Sequence, residues 1–147
     1  MPVPVDVAAL LAARTELFRE QAAAAGLTLG ADAPPGLWAV LDPERAGRAL
    51  DNLVLNAIQN TPAGGRVTLV ARREGDRLLL EVADSGRGVP EAIRPNLFEP
   101  IVTGRPEGTG LGLAVVREAA LAHGGTARAV HRPDGTTFVL ELPWRES

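Results

Sequence analysis

Three groups of residues in this 147-residue chain have types and spacings suited to chemistry. Asn52 and Asn56 are four apart, so on a helix they stack on one face. Asp84-Ser85-Gly86-Arg87-Gly88 sets a carboxylate beside two glycines, and Gly108-Thr109-Gly110-Leu111-Gly112-Leu113 runs a glycine-rich stretch into apolar sequence. A side-chain amide oxygen is a hard ligand of the kind Mg²⁺ accepts, alongside waters and phosphates. Asn56 can supply that oxygen. A carboxylate at the end of a strand can accept a hydrogen bond from an exocyclic amine such as that of adenine, and bare glycines let backbone approach a flat ring. Free N–H groups at the start of a helix attract phosphate. Each group alone has an ordinary reading: a solvated polar face, an Asp-Ser-Gly turn, a loop before a helix. In this order they describe a nucleotide pocket.

That pocket is not a P-loop. All fifteen basic residues are Arg, and a Walker A loop needs Lys to reach the phosphates. Any cationic phosphate contact therefore falls to Arg; Arg105 is the leading candidate and Arg87 a weaker one. Glu99 and Glu107 are not held to a catalytic spacing. His123 and His131 are the only histidines, and without Cys they do not make a zinc site. His123 falls in a last helical turn, where the dipole favours a cation.

The elements that must position these residues follow from periodicity. Val7–Ala25 has helical spacing, stopped by Gly26. Leu27–Leu29 is a short strand, Gly30–Gly36 a turn-rich break and Leu37–Leu41 a strand. Asp42-Pro43 supplies an N-cap and a first-turn proline. The helix from Pro43 to about Asn60 turns Ala46, Leu50, Leu53, Val54, Ala57 and Ile58 to one side. Its other side carries Arg48, Asn52, Asn56, Gln59 and Asn60. Arg66–Arg73 and Arg77–Ala83 form a hairpin. The stretch from Asp84 to Thr109 is a long irregular connection with at most a short helix near Pro90–Phe98; structureless connections beyond about 12–15 residues are usually functional. Leu111–His123 is apolar on nearly all sides and predicts a buried helix. Thr126–His131 and Thr136–Leu142 make a second hairpin.

The bulk properties set limits. A hydrophobic fraction of 46% suffices for one core without disulfides, and there is no cysteine. A net charge of −3 does not suggest a nucleic-acid surface. No apolar run reaches the roughly 20 residues of a membrane helix, and no basic segment marks a signal peptide. A cytoplasmic location without membrane contact is the expectation.

At this point the residues resemble a known family. Asp51-Asn52-Leu53-Val54-Leu55-Asn56-Ala57 resembles the N box of sensor histidine kinases, and Asp84–Gly88 their G1 box. Leu97-Phe98-Glu99-Pro100 resembles the F box, Gly108–Leu113 the G2 box, and Ala122-His123-Gly124-Gly125 the segment that follows. Gly135-Thr136-Thr137-Phe138, running to Leu142-Pro143, resembles the last strand. The run from Pro106 to Leu113 is similar to the nitrogen-regulation type.

The resemblance implies an α+β fold of the GHKL (Bergerat) type, a two-layer sandwich of a mixed sheet with helices on one face. It implies ATP and Mg²⁺ as cofactors. Asn56 would hold the metal, with Asn52 and Arg105 beside it as catalytic residues. Asp84, Gly86 and Gly88 would bind adenine; Gly108, Thr109, Gly110, Leu111, Gly112 and Leu113 would line the phosphates; Asn60, Thr103 and Thr137 would complete the contacts. Residues 85–109 would be an ATP lid, residues 7–147 the catalytic domain, and residues 1–6 the remnant of a linker. The γ-phosphoryl group would pass to a histidine on a separate dimerisation domain, upstream of a response regulator. The isolated domain would be monomeric.

Two departures carry weight. Where many members have a cation and an aromatic residue after the N box, this chain has Gln59 and Asn60. Where the related gyrase and chaperone ATPases have a water-activating Glu, it has Asn52, which favours transfer over hydrolysis. An anti-sigma-type serine kinase and a nucleotide-sensing module without phosphotransfer are the other readings.

Overall fold

The computed structural model describes residues 1–86 and 109–144, the side chains of 109–112 excepted. The elements run β1 (Val3–Asp6), α1 (Val7–Ala24), β2 (Thr28–Asp32), β3 (Trp38–Leu41), α2 (Pro43–Asn60), β4 (Arg66–Glu74), β5 (Arg77–Asp84), α3 (Thr109–Ala122), β6 (Thr126–Arg132) and β7 (Gly135–Pro143). Five strands form one sheet in the order β2-β4-β5-β7-β6. β2 is parallel to β4 and every other pairing is antiparallel, so the sheet is mixed. Among the described residues three helices cover one face, as expected.

Strand alternation decides what faces the helices. On β5, Leu78, Leu80 and Val82 point inward with Leu69 of β4 and Phe138, Leu140 and Leu142 of β7. Against them pack Leu11 of α1, Leu50, Leu53, Val54 and Ala57 of α2, and Leu113 and Val116 of α3, all buried. α2 starts at residue 43 because the Asp42 carboxylate accepts N–H bonds from Glu44 and Arg45, at 3.1 and 3.2 Å. Pro43 gives up an N–H that would have had no partner there.

Three sequence expectations change. Residues 30–32, placed in a turn-rich break, belong to β2: Gly30 and Ala31 pair with Thr68 and Leu69. An edge strand tolerates the glycine. Val3–Asp6, expected within a linker remnant, is a strand that pairs with β3 among the described residues. α3 is not buried all round: Arg117, Glu118, Leu121 and Ala122 face solvent, because only one side of it meets α2 and the sheet.

Candidate functional site

The inner face of β5 ends in a carboxylate where the hydrophobic register would continue. Asp84 lies one alternation beyond Val82, pairs with Val67 on one side and Thr136 on the other, and is 5% exposed. Its Oδ1 accepts the Gly86 N–H at 2.9 Å. Burial raises its pKa above the usual carboxylate value; the backbone N–H groups of Gly86 and Thr136 and the Arg132 charge offset this only in part. A carboxylate in this position gains by meeting a donor from a ligand.

The end of α2 comes to the same place. A Cβ on Gly86 would lie 2.6 Å from the Asn60 carbonyl oxygen, 2.9 Å from Asp84 Oδ1 and 3.2 Å from Thr61 Oγ1. Glycine is needed here by close approach of the helix end to the strand end, a different reason from contact with a flat ligand. Thr61 is buried and its hydroxyl donates to the Ala57 carbonyl at 2.7 Å, which closes the last turn. The polar stripe of α2 therefore finishes beside Asp84.

Within that stripe Asn56 is buried at 7% exposure, unlike a solvated polar residue. Its Oδ1 accepts from Asn60 Nδ2 at 3.2 Å, and the same amide donates to the Asn56 backbone carbonyl at 2.8 Å. Asn60 is thus turned back along its own helix. Asn52 is half-buried one turn earlier. No cluster of three or more His, Asp or Glu side chains suited to a metal exists among the described residues. The Asn56 side-chain oxygen is the kind of single protein ligand that a phosphate-bound Mg²⁺ accepts.

Thr137 is on the other face. On β7 it alternates with Thr136 and Phe138, so Thr136 shares the inner side with Asp84 and Thr137 points outward, where its hydroxyl accepts from Arg132 Nη1. Thr136 is 2% exposed and its Oγ1 has no hydrogen-bond partner among the described residues. A buried hydroxyl next to a buried carboxylate is an unfilled polar corner. Arg132 also donates from Nη2 to the Asp84 backbone carbonyl at 3.3 Å. Thr136 and Arg132 are residues the sequence reading passed over. The alternation of Phe138, Leu140 and Leu142 is the signal that assigns Thr136 to the inner face.

The glycine run opens α3: Thr109, Gly110, Leu111 and Gly112 are helical, and Leu113 is fully buried against the core. Gly88, Thr103, Arg105 and Gly108 lie outside the described residues, as do Arg87, the Phe98 segment and most of the 85–109 stretch. The structure therefore brings Asn60, Thr61 and Gly86 to Asp84, joins Asn56 to Asn60 through the helix, leaves Asn52 one turn further from that end, adds Thr136, and sets α3 alongside α2.

Comparison with known proteins agrees with this fold. The family model described as histidine kinase-, DNA gyrase B-, and HSP90-like ATPase matches residues 41–146. The sensor protein DivL of Caulobacter vibrioides is 38% identical over 141 residues, which cover 95% of this chain and 18% of that protein. The nitrogen regulation protein NtrY of Azorhizobium caulinodans is 32% identical over 153 residues, covering 97% of this chain and 20% of that one. The catalytic domain of histidine kinase ThkA, in a nucleotide-free form, superposes with a TM-score of 0.90 at 27% identity, over 98% of this chain and 96% of that one. The chain spans about a fifth of the length of the two curated relatives.

Proposed function

Because the chain belongs to the histidine kinase-, DNA gyrase B- and HSP90-like ATPase family, we propose that it binds Mg-ATP and presents the γ-phosphoryl group to a histidine of a separate dimerisation domain. The observation that carries this reading is the buried Asp84 carboxylate at the foot of the α2 asparagine stripe. Asp84 accepts the exocyclic amine of adenine, with the Thr136 hydroxyl beside it. The triphosphate runs toward α3, whose first amides and dipole meet its charge; glycine at 108, 110 and 112 keeps that approach free of side chains, and Arg105 adds a cation. Asn56 would hold Mg²⁺ through its side-chain oxygen, and the metal would supply neutralisation of phosphate charge. Asn52 is neutral and cannot activate water as a carboxylate does, so the bound triphosphate waits for an acceptor. The Pγ–O bond to ADP then breaks as a P–N bond forms on the acceptor imidazole. The protein's contribution is positioning and charge.

Residues 85–109 serve as the lid over the nucleotide, and residues 1–6 as the end of the connection to the dimerisation domain. The domain works in the cytoplasm as a monomer by itself, upstream of a response regulator. Titration calorimetry with ATP and Mg²⁺ tests the first step: saturable binding at micromolar to millimolar ATP is expected, and its absence would overturn the reading. Mixing the chain with its own dimerisation domain and ATP tests the second, through acid-labile phosphate on that domain. Asn60 motivates a second reading. Its amide is spent on Asn56 and leaves α2 without a phosphate-binding side chain at that position. Nucleotide binding without phosphotransfer would favour a nucleotide-sensing scaffold.

A further inference from the structure

The segment after α3, His123-Gly124-Gly125, has no part in the pocket described above, yet each of its residues has a specific contact. His123 is buried, and its Nε2 faces the backbone N–H of Asp42 at 3.0 Å. A backbone N–H can only donate, so Nε2 is the acceptor. The ring proton is then on Nδ1, which donates to the Ala119 carbonyl at 2.8 Å. The imidazole is neutral and does not serve as a cation at the helix end, contrary to the sequence expectation. Gly124 has φ 76, and the Gly125 N–H returns to the Ala120 carbonyl at 2.8 Å, which closes α3 with a left-handed cap. A Cβ on Gly125 would lie 2.0 Å from the Glu141 carbonyl oxygen of β7.

One end of α3 is thereby tied to two bodies. His123 joins it to Asp42, the residue whose carboxylate caps α2. Gly125 seats it on β7. The other end of α3 is the glycine run. With 14 residues at about 1.5 Å each, α3 is a rod of roughly 21 Å. A shift or rotation where His123 holds it is carried to the amides of its first turn. Asp84 and Thr136 are on the sheet and would not move with it.

We propose that His123 is a positioning residue for the phosphate half of the nucleotide site. It sets the register of α3 against α2, and so the separation between the glycine amides and Asn56. The adenine half is set independently by β5 and β7. This rests on the nucleotide reading above.

The test compares ATP with AMP on the intact chain by titration calorimetry. His123→Leu removes the acceptor for the Asp42 N–H. It is expected to weaken ATP on the order of tenfold, the scale of one buried unmet donor, and to change AMP less than about twofold. His123→Gln puts an amide oxygen near the Nε2 position and is expected to restore the wild-type ratio of the two affinities. If His123→Leu does not fold, His123→Gln and His123→Asn carry the same contrast, because the shorter Asn oxygen falls short of Asp42. Equal losses of ATP and AMP in the Leu or Asn variant, or no loss of either, would overturn the assignment. Wild-type protein that binds no ATP would sink the nucleotide reading itself, which is a separate result.

Discussion

Strand β5 carries two carboxylates three residues apart, and alternation sends them to opposite faces. Glu81 points outward, where Arg72 of β4 meets it through Nε at 3.0 Å and Nη2 at 2.9 Å. On the same outer face Glu141 takes Arg128 at 2.6 Å and Arg77 at 3.6 Å. This lattice has a purpose in the fold. Leu79 and Val139 also point outward, yet are 2% and 3% exposed, and their cross-strand neighbours are Arg72 and Arg128. Long Arg stems lie over apolar side chains while their heads pair with glutamates in water. Asp84, on the inner face, is buried, and the charge that most nearly helps it, Arg132, is bonded to its backbone carbonyl and not its carboxylate. One face of the sheet spends its charges on covering the fold. The other keeps a buried carboxylate with no direct ion pair among the described residues.

The largest expected effect tests that contrast directly. Asp84→Asn keeps an oxygen for the Gly86 N–H but removes the charge and one acceptor for an amine. ATP affinity should fall about 100-fold, the scale of a charged hydrogen bond in a buried site, as read by calorimetry. The empty protein should not be destabilised; at neutral pH its unfolding free energy should rise by up to about 1 kcal/mol, the common gain when a functional group that strains the fold is relieved. The sign follows from linkage. Burial raises the folded-state pKa of Asp84, so the native state holds the proton more tightly than the unfolded chain. The ionised form costs stability above the folded pKa, and that cost vanishes below the ordinary Asp value of about 3.9. The gap between Asp84→Asn and wild type in chemical denaturation should therefore close as pH falls. A gap that widens toward acid pH would mean that the ionised Asp84 is stabilised by its surroundings.

The same raised pKa predicts an effect on binding. Protonation removes the acceptor the adenine amine needs, so ATP affinity should begin to fall above the pH at which an ordinary aspartate titrates. Asp84→Asn should lack that acid limb. Asn56→Ala should cost less, on the order of tenfold, because Mg²⁺ retains its waters and phosphate ligands. The loss should appear with Mg²⁺ and largely disappear in EDTA. An equal loss under both conditions would place Asn56 on the nucleotide and not on the metal.

What could be read in the sequence divides along the same line. α2 was legible from Pro43 to about Asn60 because its signals are local: an Asp-Pro start and a two-sided stripe. The β4–β5 hairpin and the carboxylate at its end were legible for the same reason. Thr136 was not, since Thr136 and Thr137 are adjacent and chemically equal. The alternation of Phe138, Leu140 and Leu142 separates the two, but it points to Asp84 once β7 is set against β5, whose register puts Thr136 opposite that carboxylate. The strand character of residues 30–32 depends on β4, some 38 residues further on, and the role of His123 depends on Asp42, 81 residues away. The N–H that His123 Nε2 accepts comes from a distant turn, which helix-end electrostatics alone could not show.

The smallest effect is the most discriminating one. Glu81→Gln should reduce stability by less than about 1 kcal/mol, because its partner is half-exposed and screened by solvent. Added salt should shrink the difference further. ATP affinity should remain within about twofold of wild type, a difference too small to count as a lost contact. Glu81 and Asp84 share a strand, so a general loosening of β5 would couple them. If the two faces are independent, the double variant Glu81→Gln with Asp84→Asn should show stability changes that add within about 0.5 kcal/mol. A larger coupling would mean that strain at Asp84 travels through the strand to the Arg72 pair, and that the covering lattice is part of the binding site after all.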